Sequence, residues 1–120
     1  MIAYLASMDI RSGGKFFDSR DPEWEELGGG VARKILGWDD QIMMVKVKFE
    51  KGSIGATHSH IHTQVTYCAS GRFEFTIGTD KKIVCEGDSL YVAPNIEHGA
   101  VCLEKGMLID VFSPVREDFL

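Results

Sequence analysis

The chain predicts an all-β domain, a sandwich or a barrel, on three observations. Short apolar runs divided by turn residues recur about every eight to twelve positions, giving about eight to ten strands. The run M-V-K-V-K-F alternates strictly, which places Val45, Val47 and Phe49 on one face and Met44, Lys46 and Lys48 on the other. Helical signals are too sparse for an α/β architecture.

Taken in order, residues 1–20 carry no sustained period and include S-G-G and D-S-R-D, so they read as an irregular arm before one domain at 21–120. Asp21-Pro22-Glu23 resembles a helix opening, with Asp as N-cap and Pro in the first helical position. The G-G-G at 28–30 limits any such helix to one turn. Strands are then expected at 31–36 and 41–49. A strand pair is expected at 53–60 and 64–69, joined through I-H-T. Ser70-Gly71 turns into a strand at 72–77, where Phe73, Phe75 and Ile77 share a face. Further strands follow at 81–85, 89–92, 97–103 and 107–112, with E-K-G as the turn between the last two.

With 120 residues, the chain suits one domain with a real core. Its 44% apolar and 26% charged residues are ordinary for a globular protein. A net charge of −5 and a pI near 5.3 argue against nucleic acid or an anionic membrane as partner, because both favour a basic face. No apolar run is long enough to span a bilayer, and M-I-A-Y-L-A-S makes a poor signal peptide. Cys68, Cys85 and Cys102 are odd in number and contain no C-x-x-C pair. They read as buried, reduced cysteines on strands, and a cytoplasmic location follows.

The chemistry concentrates in Gly52 to Gly71. Three of the four histidines, His58, His60 and His62, lie within five residues there, Gln64 follows, and His98 closes P-N-I-E-H. Alternate residues of a strand share a face, so His58 and His60 can ligate one ion from one side. Gln64 on the paired strand and His98 beyond the Pro-Asn turn would complete the set. Three nitrogens and an amide oxygen suit a divalent metal such as Zn, Ni, Fe, Co or Mn. With no anionic protein ligand, the ion would keep its full charge and favour an anionic substrate. His62 reads as a rim or supporting residue, with direct ligation or a plain loop position as alternatives.

These residues carry a resemblance. The pattern G-x5-H-x-H-x3-Q-x6-G over Gly52 to Gly71, followed by G-D-S-L-Y-V-A-P-N-I-E-H over Gly87 to His98, resembles the two motifs of the cupin superfamily. Gln64 stands where the usual motif has Glu, Asn95 where it has Gly, and Cys102 where it has Asn. The implied fold is a double-stranded β-helix, a small jelly-roll barrel. W-E-E-L-G-G-G-V-A-R-K-I-L-G-W, I-M-M-V-K-V-K-F-E-K-G and L-I-D-V-F-S-P-V-R-E-D-F-L further resemble the KdgF-type pectin degradation family. That likeness implies metal-dependent conversion of 4,5-unsaturated monouronates to linear 4-deoxy-5-keto sugars. It implies metal binding by His58, His60, Gln64 and His98, and substrate roles for Asp110, Phe112 and Arg116. Asp110 sits among apolar residues, either buried against a partner or aimed at a cavity, and Phe112 shares its face. The Arg116 fork suits a uronate carboxylate. A small anionic sugar is the implied partner, and a homodimer the implied assembly. The competing readings are a metal-dependent cupin dioxygenase and a non-catalytic sugar-binding cupin.

Overall fold

The computed structural model describes residues 13–120. The arm expected over 1–20 lies outside the described residues as far as residue 12. Eight strands follow: β1 (Glu25–Gly28), β2 (Val31–Trp38), β3 (Met43–Phe49), β4 (Ile54–His58), β5 (Thr63–Ile77), β6 (Asp80–Cys85), β7 (Ser89–Val92) and β8 (His98–Ser113). A single 3-10 turn at Glu117–Phe119 is the only helical element among the described residues.

All pairings are antiparallel, in the order β1-β2-β3-β8-β5-β6, with β4 added to β8 and β7 to β5. Two long strands, β5 and β8, organise the molecule. The second half of β8 pairs with β3 and the first half of β5, which also carries β7. The first half of β8 pairs with β4 and the second half of β5, which carries β6. One ribbon thus serves two layers, as in a jelly roll.

The expected turns at Ser70-Gly71 and E-K-G do not end strands. They are facing irregularities inside β5 and β8, where the ladder register shifts between Cys68 and Phe73. Gly71 takes φ 85°, and a Cβ on it would lie 2.5 Å from the Gly106 Cα and 2.6 Å from the Lys105 carbonyl oxygen. The two backbones touch here, which only glycine permits. Locally, such a glycine signals a broken ladder but not whether the chain reverses or bends.

Two other local expectations change. No helix starts at Asp21-Pro22; residues 25–28 pair with β2 instead. Gly28, Gly29 and Gly30, at φ 88°, 62° and 86°, reverse the chain into a hairpin, and the pairing captures the short W-E-E-L segment. The expected hairpin of 53–60 with 64–69 also does not form, because β4 pairs with β8. The I-H-T connection therefore crosses between strands that are not neighbours.

The alternation in β3 holds: Met43, Val45 and Phe49 are buried and Met44 is exposed. The core has two parts. Phe49, Phe73, Phe75 and Leu108 pack with Cys68 and Cys102, Phe49 meeting Phe73 edge to face at 5.2 Å. Met43, Val45, Phe112 and Val115 form the second, nearer the chain end. All three cysteines are free. Cys85, expected to be buried, is exposed because β6 turns Val84 inward and its neighbour outward.

Candidate metal centre

Each histidine arrives from a different piece of chain. His58 ends β4, His60 lies in the loop beyond it, and His98 opens β8 directly opposite His58 in the ladder. His60 is thus not on the strand that carries His58. A backbone bond from Asn95 to the His60 carbonyl (2.7 Å) ties its loop to the turn that delivers His98. Asn95 stands at φ 66° in that turn, the left-handed conformation Asn tolerates.

One nitrogen of each of His58, His60 and His98 lies within 4.8 Å of the others. Their orientation follows from their other nitrogen. The Nδ1 of His58 bonds to the Ala56 carbonyl (2.8 Å), that of His60 to the His62 carbonyl (3.1 Å), and that of His98 to the Ile96 carbonyl (2.9 Å). Donating Nδ1–H to a carbonyl leaves the lone pair on Nε2, the tautomer a metal requires. Burial holds His60 and His98 below the ordinary imidazole range, so both stay neutral near pH 7.

Gln64 is also oriented. Its amide nitrogen donates to Thr66 Oγ1 (2.9 Å), and Thr66 in turn donates to Asp110 Oδ1 (2.6 Å). The amide oxygen then faces the rings, 2.9 Å from His60 Nε2 and 3.1 Å from His98 Nε2. Lone pairs facing lone pairs at these distances repel unless a cation lies among them. Three imidazole nitrogens and an amide oxygen therefore fit a divalent metal ion. Among the described residues, no other three histidine, cysteine or acidic side chains form such a group.

Beside this group is a cavity of about 120 Å³, lined among others by His58, Gln64, His98, Asp110, Phe112 and Arg116. Larger hollows lie near Trp38 and near Leu90, but neither contains a histidine. Asp110 faces Thr66 across the β5–β8 ladder, and Phe112 faces Gln64. Burial pushes the Asp110 carboxyl up to about 6, against the lowering effects of its Thr66 bond and of Arg116 and His58 nearby. Arg116 is 8% exposed, so it is no solvated tail residue.

His62 stands apart from the three-nitrogen group. Its carbonyl supports His60, its ring lies 5.3 Å from that of His60, and its Nδ1 is buried without a partner. Sequence reasoning missed Thr66, Asp118 and Phe119. Thr66 was findable, lying two residues beyond Gln64 on the same strand face. Asp118 and Phe119 follow the last strand, where no periodicity assigns a direction.

A model of the Cupin domain matches residues 45–112. The pectin degradation protein KdgF of Dickeya dadantii is 51% identical over 107 residues, spanning 88% of this chain and 96% of that protein. The structure of KdgF from Halomonas sp. superposes with a TM-score of 0.86 at 37% identity, covering 89% of this chain and 99% of that one. An RmlC-like cupin from Shewanella frigidimarina gives 0.87 at 43% identity, covering 89% and 96%.

Proposed function

Since the chain belongs to the cupin superfamily and, within it, to the family of the pectin degradation protein KdgF, we propose that it converts 4,5-unsaturated monouronates into linear 4-deoxy-5-keto uronates. The reading is carried by one observation: the cavity beside the histidine group also holds an acid raised to about 6 and a buried guanidinium. A neutral sugar would need no such cation, whereas a uronate brings a carboxylate for it.

In this reading His58, His60, Gln64 and His98 hold the metal. A divalent ion there supplies Lewis-acid polarisation of substrate oxygens. Arg116 receives the carboxylate, and Phe112 forms the wall against which the ring lies. Asp110 moves the proton. Ring opening breaks the C1–O5 bond, the anomeric hydroxyl loses its proton, and C1 becomes an aldehyde while O5 becomes an enol. Ketonisation then adds a proton at C4 and removes the enol proton. The sum is an isomerisation, with no net proton, electron or water. A carboxyl near 6 is available in both forms at neutral pH, as such a shuttle needs. Thr66 holds Oδ1, leaving the other oxygen for substrate.

The test is the absorbance of the conjugated enol acid as unsaturated galacturonate is mixed with protein. Loss of the band should accelerate, revert to the uncatalysed rate on chelation, and slow at least about 100-fold in Asp110→Asn, with metal content unchanged. Full activity in that variant would remove Asp110 from the mechanism. Oxygen uptake in the same cell would identify a metal-dependent dioxygenase instead, and binding without either change would leave a sugar-binding cupin. We also propose a homodimer, supported by exposed apolar residues on the outer sheet face such as Val65, Tyr67 and Tyr91, and a cytoplasmic location, supported by the free cysteines.

A further inference from the structure

Arg116 is restrained far more than a cation in a cavity needs to be. Its Nε donates to Asp118 Oδ1 (3.1 Å) and its Nη2 to Asp118 Oδ2 (2.7 Å), a bidentate pair along one edge of the fork. The guanidinium carbon lies 5.1 Å from the Phe112 ring centroid and 4.2 Å from that of Phe119. Those two rings meet edge to face at 5.7 Å. Arg33 lies 4.0 Å from the Phe119 centroid and is bonded to Glu25 at 3.0 Å. The chain end is thereby anchored to β1 and β2.

These contacts divide the fork. Asp118 takes the edge made of Nε and Nη2. Among the described residues Nη1 donates to nothing, so the edge made of Nη1 and the second Nη2 hydrogen stays available. That edge presents two parallel N–H groups at carboxylate spacing. The aromatic contacts limit tilt of the guanidinium plane, and the bidentate pair limits rotation within it. The Asp118 side chain is 59% exposed, whereas that of Arg116 is 10% exposed. An ion pair open to water on one side adds little to folding, so its consequence falls on the direction of the guanidinium.

We infer that Asp118 is a positioning residue: by holding one edge of Arg116 it presents the opposite edge, already oriented, to the carboxylate of an incoming uronate. This rests on the reading that Arg116 meets that carboxylate. An internal rival for the fork would have to occupy the edge the substrate needs, and Asp118 occupies the other. Preorganisation of this kind affects binding of the charged group and leaves the proton transfer at Asp110 alone.

The test uses the metal-loaded protein with Asp118→Asn, Asp118→Ala, Arg116→Lys and the Asp118→Ala/Arg116→Lys pair. Two readouts are taken: turnover of unsaturated galacturonate, and calorimetric binding of galacturonate against neutral galactose. Asp118→Ala should raise KM and weaken galacturonate binding about tenfold, with kcat within about twofold and galactose unaffected. Asp118→Asn should fall between it and the native protein. In the Arg116→Lys background the alanine change should add less than about twofold. An unchanged or lowered KM in Asp118→Ala, or the same loss from that change in the Arg116→Lys background, overturns the assignment. If the alanine variant does not fold, the asparagine variant carries the same test. Native protein whose galacturonate binding is weakened by Asp118→Ala, yet which leaves the unsaturated sugar unchanged, would sink the proposed reaction and keep the positioning role.

Discussion

Asp110 shows how a residue placed for a proposed proton transfer can cost stability. Its carboxyl is raised to about 6, so the folded protein binds that proton more tightly than the unfolded chain does. The sign follows from linkage. No penalty exists at pH below the unfolded carboxylate value, it grows as pH rises toward 6, and it is fully present above. Asp110→Asn keeps the Thr66 bond and removes the charge. In chelated protein the variant is therefore expected to be more stable than the native chain near pH 7.5, by about 3 kcal/mol. The gap should close near pH 4. Urea midpoints at the two pH values measure it, and a gap independent of pH would show that the Asp110 carboxylate is not strained in the fold. The raised value fits a proton-transfer role because a carboxylate of ordinary strength holds its proton too rarely at neutral pH to return it.

At the scale of elements, the bend shared by β5 and β8 decides where the site residues stand. Before it, β5 carries Gln64 and Thr66; beyond it, Phe73 and Phe75 enter the larger core cluster. Any side chain at Gly71 would sit against the Gly106 Cα and the Glu104 and Lys105 carbonyls at a positive φ. Gly71→Ala is therefore expected to destabilise by about 3 kcal/mol or more, the sum of conformational strain and a backbone clash. Chemical denaturation of the purified variant checks this, and a cost below about 1 kcal/mol would show that the ribbon can part there cheaply. Both glycines were visible in the sequence, as was the alternation that buries Val45 and Phe49. Their pairing was not, because a backbone contact between residues 35 positions apart leaves no periodic mark. The same limit explains β1, which a hairpin partner draws out of a helix-like opening, and β4, whose partner is β8 and not the next strand in the chain.

For the whole molecule, the candidate metal-binding group bridges segments that the ladder alone joins only in part: the end of β4, the loop after it, and the starts of β5 and β8. An ion bound only by the folded chain stabilises it in proportion to its occupancy. Chelation should lower the melting temperature by about 10 °C, corresponding to about 2–3 kcal/mol at ordinary metal excess. In His58→Ala the shift should largely vanish. Equal melting with and without chelator would argue that the histidines are held by packing alone. No helix among the described residues is long and apolar enough to cross a membrane.

By itself the sequence determined the all-β class, the inward face of β3, and which side chains could make a metal centre. Those features depend on residue type and short-range spacing: alternation for a strand, glycine for a bend, clustered imidazoles for an ion. Only the tertiary structure decided that His60 reaches the site from a loop, that His62 contributes its carbonyl to His60 while its ring stays outside the three-nitrogen group, and that Thr66 links Gln64 to Asp110. It also decided that Asp118 holds Arg116. Each of these depends on where a side chain points once distant strands have paired. That direction is set by register and packing across the ribbon of β5 and β8, and no stretch of chain read alone contains it.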